Sequence, residues 1–146
     1  MQPERVVTEE QLQRCHALRI AVFVGEQKAP LESEIDGIDG RCAHWILDVQ
    51  GDTVGAVRLV PLSATEGALG RLCVARAHRR KGLASLLVAA VETEARLRRY
   101  ATVSLHAQTA AVGFYLKNGY QLLAHLGTFL EDGILHNHML KTLLYE

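Results

Sequence analysis

An α+β domain built on one mixed sheet is predicted from three observations on this 146-residue chain. Two β-rich runs flank Gln50-Gly51-Asp52 as in an antiparallel hairpin, and a third run, residues 69–74, passes through a basic loop into a long amphipathic pattern. Beyond it, further strands and a helix follow in mixed order, which argues for helices packed on a single sheet. The length fits one domain, residues 1–146, large enough to bury a full core.

Thr8 followed by Gln11 forms a capping box, and Leu12, Cys15, His16, Arg19 and Phe23 mark the faces of a first helix over about residues 9–23, ending near Gly25. Residues 26–40 read as an acidic, turn-rich connection carrying Glu26, Glu32, Glu34, Asp36 and Asp39, with Pro30, Gly37 and Gly40 opposing regular structure. A connection this long is expected to be functional. Residues 43–49 and 53–60 are the hairpin strands, and Pro61 with the polar stretch 63–67 separates them from the strand at 69–74. Leu83, Leu86, Leu87, Ala90, Val91 and Leu97 recur at three- and four-residue steps, the pattern of a helix packed on a core. Residues 101–106 form a buried strand, and 108–118 a shorter helix closed by Gly119 as a left-handed C-cap. Residues 120–126 and 134–144 make a final strand pair.

The basic loop places Arg76, Arg79, Arg80 and Lys81 at the N-terminus of the long helix. The helix macrodipole is positive there, so each cation costs about 0.3–1 kcal/mol unless an anion occupies the site. Gly82 and Ala84 keep the first turn bare, so that a pyrophosphate could reach the unpaired backbone N–H groups. The Walker pattern needs a second glycine and Lys-Ser/Thr, and the dinucleotide fingerprint needs three spaced glycines; neither is present.

Sixteen basic residues balance sixteen acidic ones, so no global field favours nucleic acid or an anionic membrane. Cys15, Cys42 and Cys73 are odd in number and lack CxxC spacing, which points to neither a disulfide framework nor a zinc ribbon and fits a reduced, cytoplasmic setting. No run of eighteen apolar residues and no targeting segment is seen.

Arg79-x-x-Gly82-x-Ala84 resembles the Q/R-x-x-G-x-G/A signature of the Gcn5-related N-acetyltransferases (GNAT), and Phe114-Tyr115-x-x-x-Gly119-Tyr120 resembles their FYxxxGF pattern. Residues 22–27 (Val-Phe-Val-Gly-Glu-Gln) and Glu131-Asp132-Gly133-Ile134-Leu135-His136-x-x-Met139 resemble the ElaA-like branch, with Leu135 replacing a proline. The resemblance implies a twisted, mostly antiparallel sheet whose central strands splay apart to admit acetyl-coenzyme A. The backbone of Leu72, Cys73 and Val74 would pair with pantetheine. Arg79, Arg80, Lys81, Gly82, Leu83 and Ala84 would hold the pyrophosphate, with Gln108 a further cofactor contact.

The implied reaction moves acetyl from acetyl-CoA to a primary amine of a small acceptor by direct attack, with Tyr115 protonating the departing thiolate. Relatives often supply a basic glutamate from the strand before the loop, but here that strand carries Arg71 and Cys73. Glu26, His44, His106 and His136 are therefore the candidate bases, with a water chain as an alternative. Cys73 is either an acyl-accepting thiol or a buried small hydrophobe, and the latter is favoured. His136 and His138 share a strand face but lack the further ligands that zinc needs, so no metal is expected. The five carboxylates of residues 26–39 would favour a cationic acceptor; a phosphorylated one would have only Arg41 and Arg58 to spare. A homodimer is an allowed assembly. The alternative to an enzyme is a non-catalytic acyl-CoA sensor or scaffold that has lost the base, and zero net charge argues against a nucleic-acid binder.

Overall fold

The strands of the computed structural model, which describes residues 1–145, are β1 (Glu4–Arg5), β2 (Ala43–Val49), β3 (Asp52–Pro61), β4 (Glu66–Val74), β5 (Thr102–Gln108), β6 (Gln121–Leu122), β7 (Thr128–Glu131) and β8 (Ile134–Thr142). They form one sheet in the order β1-β2-β3-β4-β5-β8-β6, with β7 also paired to β8. The helices are α1 (Glu9–Arg19), α2 (Leu31–Glu34), α3 (Leu83–Leu97) and α4 (Val112–Lys117).

Every strand pair is antiparallel except β4 with β5, which pair in parallel only from Glu66–Ala68 to Thr102–Ser104. Beyond Ala68 the two strands part, β4 staying with β3 and β5 with β8. A bulge accompanies the parting. Ala56 of β3 faces Cys73 but Arg58 faces Gly70, so β4 carries one extra residue, and Arg71 within it takes a left-handed φ of 53°. The predicted splay of the central strands is thus present.

The two faces of the sheet are covered differently. Leu83, Leu87, Val88, Val91 and Ala95 of α3 pack on Trp45, Leu47, Val57, Leu59, Leu69 and Val103. On the opposite face Cys15, Leu18 and Val22 pack on Ile46, Ala56 and Cys73 in a smaller cluster. Gly67 must lack a side chain, because a Cβ there would lie 2.6 Å from the ring of Tyr100.

The capping box at Thr8 and Gln11 is formed. The first helix runs further than expected: after Arg19 it widens into a π-helical segment, Ile20–Glu26, for which the apolar pattern gives no signal. Residues 26–40 hold more regular structure than predicted, because Pro30, with φ −62°, caps α2 instead of preventing it, and a 3₁₀ turn spans Asp39–Arg41. The strand before the basic loop begins at Glu66, not 69. Residues 120–126 are not one strand; β6 gives way to a 3₁₀ turn, Ala124–Leu126, and the hairpin partner of β8 is β7. Its turn uses Asp132 (φ 52°) and Gly133 (φ 77°), the two left-handed residues of a tight hairpin. Gly119, at φ 90°, closes α4 as expected. Among the described residues no helix is long and apolar enough to cross a membrane.

Candidate active site

The V between β4 and β5 holds a cavity of about 850 Å³. At one end stands the start of α3. Gly82 adopts φ 79°, and a Cβ built on it would meet nothing within 4 Å. No side chain caps the helix and its first turn holds no acid, so the backbone N–H groups of Leu83, Ala84 and Ser85 have no helical acceptor. Arg79, Arg80, Gly82, Leu83, Ala84 and Ser85 all line the cavity, whereas Lys81 does not.

The cations there are not all unpaired. Arg79 donates from Nε to the Val74 carbonyl at 2.9 Å and from Nη2 to the Glu26 carboxylate at 2.9 Å. Arg80 and Lys81 have no ion-pair partner among the described residues. Glu26 therefore acts as a counter-ion at the rim, and it is not among the lining residues.

Leu72, Cys73 and Val74 of β4 and Gln108 of β5 line the cavity, as does Tyr115. Burial pushes the Cys73 thiol far up, so little thiolate forms and an acyl relay through it has no chemical support. Burial also raises the Tyr115 phenol, which stays protonated at neutral pH. Its hydroxyl makes no hydrogen bond among the described residues, while its ring stands edge-on to Phe114 at 5.1 Å and Tyr120 at 5.8 Å. Tyr120 is in turn fixed by donating to Glu92 at 3.0 Å, a carboxylate that also accepts from Lys141 at 2.9 Å. The result is a rigidly held phenol with a proton to give.

Val60, Leu62 and Ala68 line the cavity toward the closed root of the V, where Ala68 pairs with Ser104, whereas His106, Glu131 and His136 line it near Gln108, the β5 residue paired with His136. His136 places Nδ1 2.7 Å from the Ile134 carbonyl and Nε2 3.5 Å from a Glu131 oxygen. His106 lies edge-on to Phe129 at 4.8 Å; burial lowers its pKa, opposed by Glu131 and reinforced by His138 and His136. His138 shares the face of His136 but lies tilted against Phe129 at 4.6 Å. Gln108 donates to Gln27 at 2.7 Å across the cavity mouth. His44 does not belong here: it is buried outside the cavity and its Nε2–H donates to the Asp39 carbonyl at 3.0 Å. Burial lowers its pKa, so it is a neutral structural residue.

Most of the negative charge of the acidic connection is neutralised within the fold; of its carboxylates only Glu32 has no ion-pair partner among the described residues. Arg19 binds Glu34 and Asp39, Arg58 binds Asp36 and Asp39, and Arg71 binds Glu34 and Asp36. Three guanidinium groups balance three carboxylates, with His16 adding a 3.0 Å contact to Asp39. Burial pushes the Asp39 carboxyl up, but Arg19 and then Arg58 outweigh it and hold it well below the usual range. The network straps residues 31–41 to the sheet, so Glu34, Asp36 and Asp39 do not supply the field for cations that the sequence suggested, and Arg58 is not spare for phosphate. Sequence reading missed it because Arg19 and Arg58 sit at core-facing positions of ordinary apolar patterns; a charged residue in such a position was the signal.

A splayed mixed sheet, a bulge in β4 and an open helix start beside it define an acyl-CoA N-acyltransferase. The acetyltransferase (GNAT) domain family matches residues 5–143, and the chain belongs to that family of acyltransferases. An uncharacterized N-acetyltransferase of Bacillus subtilis, YjcF, is 38% identical over 133 residues, covering 91% of this chain and 94% of its own. An acyl-CoA N-acyltransferase from Pseudomonas aeruginosa superposes with a TM-score of 0.83 at 28% identity, covering 97% of this chain and 100% of that one. Escherichia coli ElaA does so at 0.82 and 25% identity, covering 95% and 99%, which places the chain in the ElaA-like branch.

Proposed function

We propose that the protein transfers an acetyl group from acetyl-CoA to the primary amine of a small acceptor, by direct attack in a ternary complex. The observation that carries this reading is that one cavity is lined together by the open α3 start, by Tyr115 and by His106 and His136. Diphosphate oxygens would accept from the free amides of Leu83, Ala84 and Ser85 beside Arg79 and Arg80, a combination of dipole and charge suited to a dianion. The exposed edges of Leu72, Cys73 and Val74 would pair with the pantetheine amides as an added strand does. Gln108 lines the same passage, while Lys81 would contribute only at a distance.

With the thioester beside Tyr115, an amine in the same cavity attacks its carbonyl carbon. The carbon–nitrogen bond forms, the carbon–sulfur bond breaks, and Tyr115 supplies the proton that the sulfur takes up. Burial keeps the phenol protonated at neutral pH, so the proton is in place to pass to the sulfur as the carbon–sulfur bond breaks. Calorimetric titration with acetyl-CoA, followed by a thiol-release assay over primary amines, tests the reading. One-to-one binding and amine-dependent thiol release are expected; binding without release on any amine supports the sensor instead.

A further inference from the structure

We infer that Glu131 and His136 together bind the acceptor as an ammonium ion and remove its proton, an assignment that deepens the proposed activity and rests on it. A carbonyl oxygen only accepts, so the 2.7 Å contact to Ile134 fixes the proton of the neutral ring on Nδ1 of His136. Nε2 then presents a lone pair, and it lies 3.5 Å from a carboxylate oxygen of Glu131. Two acceptors meet with no donor between them. An R–NH₃⁺ group, with three N–H donors and a positive charge, completes that arrangement.

The other charged groups around this pair are committed elsewhere. Asp36 also lines the cavity but is bound by Arg58 and Arg71, and Glu34 is bound by Arg19 and Arg71. Of the two carboxylates lining the cavity, Glu131 is the one without an arginine partner among the described residues. His106 from β5 faces the pair but is disfavoured as a cation by burial, His138 is packed on Phe129, and Asp132 lines only the adjoining cleft. Phe129 stacks on His136 at a centroid distance of 5.7 Å, which holds the ring in place. Val60 and Ala68 lie toward the root of the V, level with Ser104 and not with the Gln108–His136 pair, so the ammonium contact itself defines the acceptor class, a primary alkylammonium.

The proton balance closes. One ammonium proton passes to Nε2 of His136, giving an imidazolium beside the Glu131 carboxylate. The nitrogen lone pair then forms the amide bond, Tyr115 protonates the sulfur, and the second proton lost by nitrogen restores the phenol. The products are amide, thiol and one proton carried away from His136.

The test compares n-butylamine and 2-phenylethylamine, which are protonated at pH 7.5, with hydroxylamine, which is largely unprotonated and needs no base. His136→Asn keeps a donor for the Ile134 carbonyl but cannot accept the proton. It should lose roughly 10²–10⁴-fold in kcat/KM on the alkylamines and far less on hydroxylamine. His136→Ala should be rescued by added imidazoles, with rates rising with their basicity, and Glu131→Gln should raise the alkylamine KM roughly 10–100-fold with a smaller change in kcat. Acetyl-CoA affinity by calorimetry reports whether each variant is folded. Equal losses on all three amines, or no loss, overturns this assignment alone. A wild-type protein that binds acetyl-CoA and releases thiol with none of them overturns the proposed activity as well.

Discussion

Gly82 combines a left-handed backbone with an empty space in front of the α3 amides, and any side chain there would both strain the turn and fill that space. Gly82→Glu adds negative charge as well, so acetyl-CoA affinity should fall by roughly 100-fold or more in calorimetry; wild-type affinity would refute the placement of the diphosphate. Tyr115→Phe removes the proton but keeps the ring between Phe114 and Tyr120. Turnover should drop by roughly 10²–10⁴-fold while acetyl-CoA affinity holds, and unchanged turnover would reduce Tyr115 to packing. These two residues were legible in the sequence because each sits in a motif whose chemistry depends on that residue type. Glu131 and His44 were not: a strand residue's facing depends on register, and a histidine alone does not reveal whether it meets a cavity or a carbonyl.

At the scale of elements, the strand–loop–helix unit from β4 to α3 was readable because strand period, basic loop and helix period follow one another without interruption. β1 and β6 span only two residues each, too few for a period to register. β7 was obscured because the apolar residues at 120–126 imitate a strand, while the true hairpin signal was the Asp132-Gly133 pair. The π-helical segment has no sequence marker of that kind, although it carries Glu26 to within 2.9 Å of Arg79. Packing between elements yields its own prediction. Gly67→Ala would drive a methyl into Tyr100 at 2.6 Å and Leu59 at 2.9 Å, at the root of the parallel pairing. The variant should unfold at lower denaturant concentration, by about 1–3 kcal/mol, and an unchanged midpoint would mean that the ring yields freely.

For the whole molecule, the buried ionic strap and His44 make stability depend on pH. The folded His44 lies below its ordinary value of 6.5, so its contribution is complete above that pH and is lost as pH falls through the lowered value. Asp39, held low by its arginines, contributes above its ordinary 3.8 and loses that contribution only at more acidic pH. Melting temperature should therefore decline between pH 7.5 and 5.5 in the wild type and decline less in His44→Gln, whose amide can still donate to the Asp39 carbonyl; parallel slopes would assign the effect to other groups. The seam between β4 and β5 has a wider consequence. Only three residue pairs of backbone ladder join a β1–β4 half to a β5–β8 half, so without a guest the lower sheet is two panels sharing a short hinge. A thioester arm laid along the inner edge of β4 bridges those panels, and amide exchange at Leu72–Val74 and along the lower part of β5 should slow together once the arm is in place.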